Sequence, residues 1–124
     1  MEKIKVEKVG PGIAEALMAW AGLDDPAGMA TPASIANSGE CFRLTVDDEV
    51  GVFVLQRKAD RLWVAGAGAV GTAGMTAPGL SVIEAIAAQS GCKVVAFQTG
   101  RAGLAKLAKK QGYRLTGFIM EKSV

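Results

Sequence analysis

The chain contains no histidine, only two cysteines and one tyrosine, and no apolar run near the ~20 residues that a membrane-spanning helix needs. Each shortage excludes chemistry. Without imidazole, a Ser-His-Asp or Cys-His mechanism in its usual form is ruled out, as is a metal site built on histidine. General base work then falls to a carboxylate, a tyrosine or water. Cys41 and Cys92 are far apart in the sequence and have no histidine to complete a zinc site, so they read as buried thiols in a reducing compartment, with no metal. The opening segment MEKIKVEKVGPG alternates charge with aliphatics and offers no apolar signal core before a small-residue cleavage site. The expectation is a cytoplasmic protein with no membrane partner.

One-sided charge is scarce too. A formal net charge of +2 is spread over mixed-sign segments. The densest basic group, Lys106, Lys109 and Lys110, falls on a predicted helix with no aromatics between, which reads as a solvated face and not a nucleic-acid surface. What the chain does have is apolar mass: half of its 124 residues are hydrophobic, enough for one core and a single domain over residues 1–124.

Periodicity orders the elements. Lys3 to Val9 alternates as a strand, and after Gly10-Pro11-Gly12 the residues Ile13, Leu17 and Trp20 recur at helical spacing up to Gly22. Pro26, Gly28, Pro32 and Gly39 break the next stretch, leaving a short helix capped by Thr31 with Pro32 at its first position. Phe42 to Val46 and Val50 to Arg57, joined by Asp47-Asp48-Glu49, form an antiparallel hairpin. Arg61 to Ala67 is a further strand. A helix from about Thr76 and Pro78 to Gly91, a strand Cys92 to Gln98, a helix Ala102 to Gln111 closed by Gly112, and a last strand Leu115 to Met120 complete the order. Hairpin strands first and helix-connected strands later imply an α/β mixed sheet with helices on both faces. Trp20 and Trp63 are read as core side chains.

Between Arg61 and the following helix lies GAGAVGTAGMTAPG, expected to be flexible or tightly turned. Its Gly66-Ala67-Gly68-Ala69-Val70-Gly71 is a literal GxGxxG, yet the dinucleotide fingerprint also needs an acidic residue at the end of the next strand, and Lys93 to Thr99 has none. A glycine-rich turn before a helix N-terminus suits any pyrophosphate, that of coenzyme A included. A ligand-free small-residue connection is the third reading of the same residues.

From Arg61 to Lys122 the chain resembles the C-terminal half of the GNAT N-acetyltransferase family. The most specific piece is RAGLAKLAKKQGYRLTGFIMEK, which looks like that family's last helix and its Gly-Phe/Tyr step into a strand, here Gly112-Tyr113. The first helix and the hairpin Phe42 to Arg57 fit the family's N-terminal half. The resemblance implies acetyl-CoA or CoA in a cleft between two splayed strands, with Val64 and Ala65 offering backbone to the pantetheine arm. It implies a pyrophosphate loop of the pattern Arg/Gln-x-x-Gly-x-Gly/Ala, on Gly68-Ala69-Val70-Gly71-Thr72-Ala73 or on Gly74-Met75-Thr76-Ala77-Pro78-Gly79. The cofactor-binding set expected from it is Val64, Ala65, Gly71, Thr72, Ala73, Gly74, Thr76 and Gly79.

Two departures bear on chemistry. Neither version of the loop has the leading Arg or Gln, and the place of the family's thiolate-protonating tyrosine is taken by Ala108. Tyr113 occupies the aromatic packing position, and Thr99-Gly100-Arg101 replaces the asparagine often found before the last helix. Glu40, Asp47, Asp48, Glu49 and Asp60 are the carboxylates near strand ends, and none stands out as a base. Two functions follow: acetyl transfer from acetyl-CoA to an amine, or a catalytically degenerate GNAT-fold protein with a binding or structural role, for example in a phage particle. The family's last strand pair is cut short after Met120, which would leave a sheet edge through which a homodimer could form.

Overall fold

A computed structural model describes residues 3–23, 28, 30–70 and 75–124. Its elements run β1 (Ile4–Val9), α1 (Pro11–Ala21), α2 (Pro32–Ala36), β2 (Glu40–Val46), β3 (Glu49–Lys58), β4 (Arg61–Val70), α3 (Thr76–Gln89), β5 (Val94–Phe97) and α4 (Ala102–Lys110). The five strands form one sheet in the order β1-β2-β3-β4-β5. The first four pair antiparallel, and β5 lies parallel to β4 after the α3 crossover. This is the expected mixed α/β architecture.

Alternation along β3 divides the molecule into two cores. Val52 and Val54 face Ala14 and Met18 of α1 and Ile35 and Ala36 of α2, while Phe53 and Leu55 face Ile83 and Ala87 of α3. Helices therefore cover both faces, and β3 is buried on both, as its unbroken apolar run requires. The short helix α2 is capped as the sequence indicates: Ser34 N donates to Thr31 Oγ1 at 3.1 Å and Thr31 N to Ser34 Oγ at 2.9 Å.

Three expectations are corrected. Helix α1 buries only part of the Ile13–Leu17–Trp20 stripe: Leu17 is half-buried against the core, Ile13 and Trp20 are 48% and 65% exposed, and the fully buried residues are Ala14 and Met18. Small residues explain the rotation. Ala14 lets the helix approach the sheet closely, and Gly68 lets the end of α1 come down on β4: a Cβ at Gly68 would stand 2.7 Å from the carbonyl oxygen of Gly22. The second correction concerns the glycine-rich segment. Gly66 to Val70 is not a turn but the second half of β4, paired with Val50–Val54. Glycine serves there for close approach, since a Cβ at Gly66 would meet Ile35 Cγ2 at 2.7 Å. Third, Leu115 to Met120 forms no strand, because no described strand lies beside it to complete a ladder. Trp63 is half-buried, in accord with part of its expected role.

Candidate functional site

The distinctive geometry lies where β4 leaves β5. The two strands pair from Arg61↔Val94 to Val64↔Phe97, and there the pairing stops while β4 continues to Val70. On its other side β4 pairs Gly66 with Val54 and Val64 with Leu55, so Ala65 is an extra residue, a β-bulge. A bulge bends and twists its strand, which turns the second half of β4 away from its parallel neighbour. The small side chains Ala65, Gly66, Ala67, Gly68 and Ala69 then present main chain to the gap with little to screen it.

That gap holds a cavity of about 190 Å3. Val64 and Ala65 line one wall, Phe97, Gln98 and Leu104 the other, and Met75, Thr76 and Gly79 the end at α3. The volume is below the ~300–1,000 Å3 of pockets that enclose whole drug-sized ligands. It suits an extended arm with its larger end outside.

Helix α3 begins at this cavity. Its N-cap is Met75, no side chain among the described residues caps the first turn, and no acidic residue stands in it. The positive end of the helix dipole is left for an external anion. Arg101 is the sole charged residue among the described residues lining the cavity. Its main-chain N donates to Thr99 Oγ1 at 3.0 Å, which fixes the turn that starts α4 beside the cleft. The sequence reading did not single out Arg101 for the site, although its unusual place before α4 was visible.

Of the eight residues expected to bind cofactor, Val64, Ala65, Thr76 and Gly79 are brought together around this cavity. Gly71, Thr72, Ala73 and Gly74 lie outside the described residues. The first loop alignment begins inside β4, at Gly68, and the second runs into α3, at Thr76. None of Glu40, Asp47, Asp48, Glu49 and Asp60 lines the cavity. Glu40 instead pairs with Lys8 at 3.3 Å, and Asp47 accepts from Lys3 N at 2.9 Å.

Ala108 is buried, and Tyr113 does not line the cavity, its ring lying behind the wall residue Phe97 with centroids 5.4 Å apart. Tyr113 OH donates to Glu84 Oε2, and burial, followed by that hydrogen bond and the carboxylate's charge, pushes the phenol well above its ordinary range. The only tyrosine is thus held protonated outside the cavity. Cys41 and Cys92 are both buried, and the Cys41 thiol donates to Ala36 O at 3.2 Å, its pKa raised by burial. No helix among the described residues is long and apolar enough to cross a membrane.

Compared by sequence, the chain matches no family model and no curated protein. Compared by fold, it is similar to the aminoglycoside N-acetyltransferase AAC(6')-Iy in complex with CoA, with a TM-score of 0.61 at 10% identity over 100% of this chain and 96% of that one. It is similar to glucosamine-6-phosphate N-acetyltransferase from Arabidopsis thaliana, with a TM-score of 0.56 at 12% identity over 98% of each chain. An acetyltransferase from Trypanosoma brucei aligns with a TM-score of 0.52 at 13% identity, over 98% of this chain and 100% of that one. The chain has a divergent GNAT-like fold.

Proposed function

We propose that this protein binds acyl-CoA in the cleft between β4 and β5, with acyl transfer to an amine as the reaction the cleft suits. The observation that carries the proposal is the loss of pairing after Val64↔Phe97 at the Ala65 bulge. It leaves main-chain donors and acceptors of β4 facing a narrow cavity, and a pantetheine arm, with its two amides, answers such an edge as a strand would. The start of α3 at Met75 and Thr76 would take the pyrophosphate, and Arg101, which lines the same cavity, would add a positive charge. CoA itself would supply the thioester, whose carbonyl carbon is the electrophile.

The described cavity wall offers no carboxylate, tyrosine or cysteine. Transfer there would therefore be direct. A neutral amine forms the new C–N bond, the C–S bond breaks, the sulfur takes a proton from water, and the ammonium proton leaves to water. The protein's contribution would be alignment of the two reactants and exclusion of competing water.

A second reading rests on the same bare wall: a GNAT-like protein that holds the cofactor, or a partner, without turning it over. Thermal unfolding in the presence of CoA, acetyl-CoA and NAD separates these readings. Acyl-CoA binding predicts a melting temperature that climbs with the concentration of CoA and acetyl-CoA, as mass action requires, and does not climb with NAD. No shift at millimolar CoA would sink the binding proposal, while a shift without turnover over a panel of amines would select the second reading.

A further inference from the structure

Charge is distributed unevenly along the chain. Between Glu84 and Glu121 there are six basic residues and no acidic one, although the whole chain carries a formal net charge of only +2. The remainder is therefore net acidic. Four cations, Arg61, Lys93, Lys109 and Arg114, line one groove of about 1010 Å3. All four are exposed, and among the described residues none is in an ion pair. The one carboxylate that lines the groove, Glu84, already accepts the hydrogen bond of Tyr113. A concave surface lined by one sign of charge concentrates its field on whatever enters.

The shape of the groove suits a polypeptide. Strand β5, Val94–Phe97, contributes one part of its lining, the helix residues Ala87, Ala88 and Ala108 another, and Tyr113–Ile119 a third. β5 reads VVAF, and among the described residues no strand pairs with its outer side. An uncharged edge of this kind is a template for a further strand, whereas the opposite edge, β1, is guarded by Lys5, Glu7 and Lys8 in ion pairs. A residue in a packed sheet fills a slab of roughly 160 Å3, from about 4.8 Å between strands, about 10 Å between layers and about 3.3 Å along the chain. The groove has room for about six extended residues.

We infer that this groove is a docking site for an extended acidic segment of another protein, added to the sheet as a strand along β5. Main-chain hydrogen bonds to the free edge hold the segment in register, and its side chains alternate between the two faces. Apolar residues at alternate positions cover Ala87, Ala88 and Ala108, and carboxylates between them answer Arg61, Lys93, Lys109 and Arg114. A second copy of this chain does not supply such a strand, because Leu115–Met120 carries no carboxylate and would leave all four cations unanswered. Charge complementarity therefore selects the occupant. The docking is independent of the cofactor reading, and its test contains no CoA.

Fluorescence anisotropy of a labelled peptide of alternating glutamate and valine, titrated with the 124-residue chain, tests the inference. Saturable binding that weakens with added salt is expected, together with slowed amide exchange at residues 94–97. An alternating lysine and valine peptide is expected not to bind, and N-methylation of the valines, which removes the donors on one strand edge, is expected to abolish binding. Lys93→Glu combined with Lys109→Glu should weaken binding about tenfold or more, with unchanged circular dichroism because both side chains are exposed. Should that variant misfold, Lys93→Gln with Lys109→Gln takes its place, with a smaller loss. No saturation by about 1 mM overturns the inference. So does equal binding of the lysine peptide, of the N-methylated peptide or of an oligothymidylate of equal charge, or an affinity that the charge substitutions leave unchanged.

Discussion

The phenol of Tyr113 donates a hydrogen bond to Oε2 of Glu84 at 2.9 Å, and its ring meets that of Phe97 edge-on with centroids 5.4 Å apart. One side chain thereby ties the turn after α4 to α3 and to the end of β5. It is engaged in holding the fold together, and the chain's single tyrosine packs behind the cleft wall at Phe97 without lining the cavity where a proton donor would act.

Tyr113→Phe keeps the ring contact and deletes the hydrogen bond. Its expected cost is about 0.5–1.5 kcal/mol, toward the low end because the bond is reached by water. The raised phenol pKa stabilises the folded chain below the unfolded tyrosine value of about 10, and that stability is lost as pH rises above it. Urea unfolding of wild type and variant between about pH 8 and pH 11 should show the difference between them shrinking at the alkaline end. CoA affinity should be unchanged.

Gly68 and Gly66 are both covered by the α1/α2 layer but by different atoms. A methyl at Gly68 meets the main-chain oxygen of Gly22, whereas one at Gly66 meets the Ile35 side chain. Backbone cannot turn aside as a side chain can, so Gly68→Ala is expected to lose about 1–3 kcal/mol and Gly66→Ala less. Equilibrium unfolding ranks the two.

Across the β1–β2 ladder Glu7 faces Arg43, which donates from Nε and Nη2 at 3.2 Å each. The Arg43 hydrogen bond, with its charge and that of Lys5, outweighs burial and holds the Glu7 carboxyl below its usual 4.5. A depressed carboxyl contributes stability above the ordinary range and loses it as pH falls toward the lowered value. The melting-temperature advantage of wild type over Glu7→Gln should therefore decline on acidification below about pH 4.5.

If the chain transfers acyl groups, the bare cleft wall sets the pH profile. With no described carboxylate, tyrosine or cysteine beside the thioester, kcat/KM should follow the free-amine fraction of the acceptor, rising about tenfold per pH unit below the amine's own pKa. A bell-shaped profile for kcat/KM would point to an acid and a base on the protein.

Much of the fold was legible because it rests on local signals. The Thr31-Pro32 cap, the Asp47-Asp48 turn and the alternation of β3 each act over a few residues, and each is where the sequence put it. The errors came from features that only tertiary structure decides. Gly66 and Gly68 look like a turn until a helix lands on them, and Trp20 looks like core until Ala14 and Met18 take the contact with the sheet. Leu115–Met120 has the pattern of a strand without a described neighbour to pair with. At the site, Val64, Ala65, Thr76 and Gly79 were reached through the family resemblance alone. Their small or aliphatic side chains carry no chemistry of their own, since the main chain of a bulged strand is the recognising group.

Amide chemical shifts of the 15N-labelled chain, followed during titration with CoA, test the central claim most directly. Acyl-CoA binding in the cleft predicts saturable shifts at Ala65 to Ala69 and at Thr76 to Leu80, Pro78 aside, with far smaller changes at Leu115 to Met120. Spectra unmoved at millimolar CoA, or changes confined to residues remote from the Ala65 bulge and the start of α3, would contradict it.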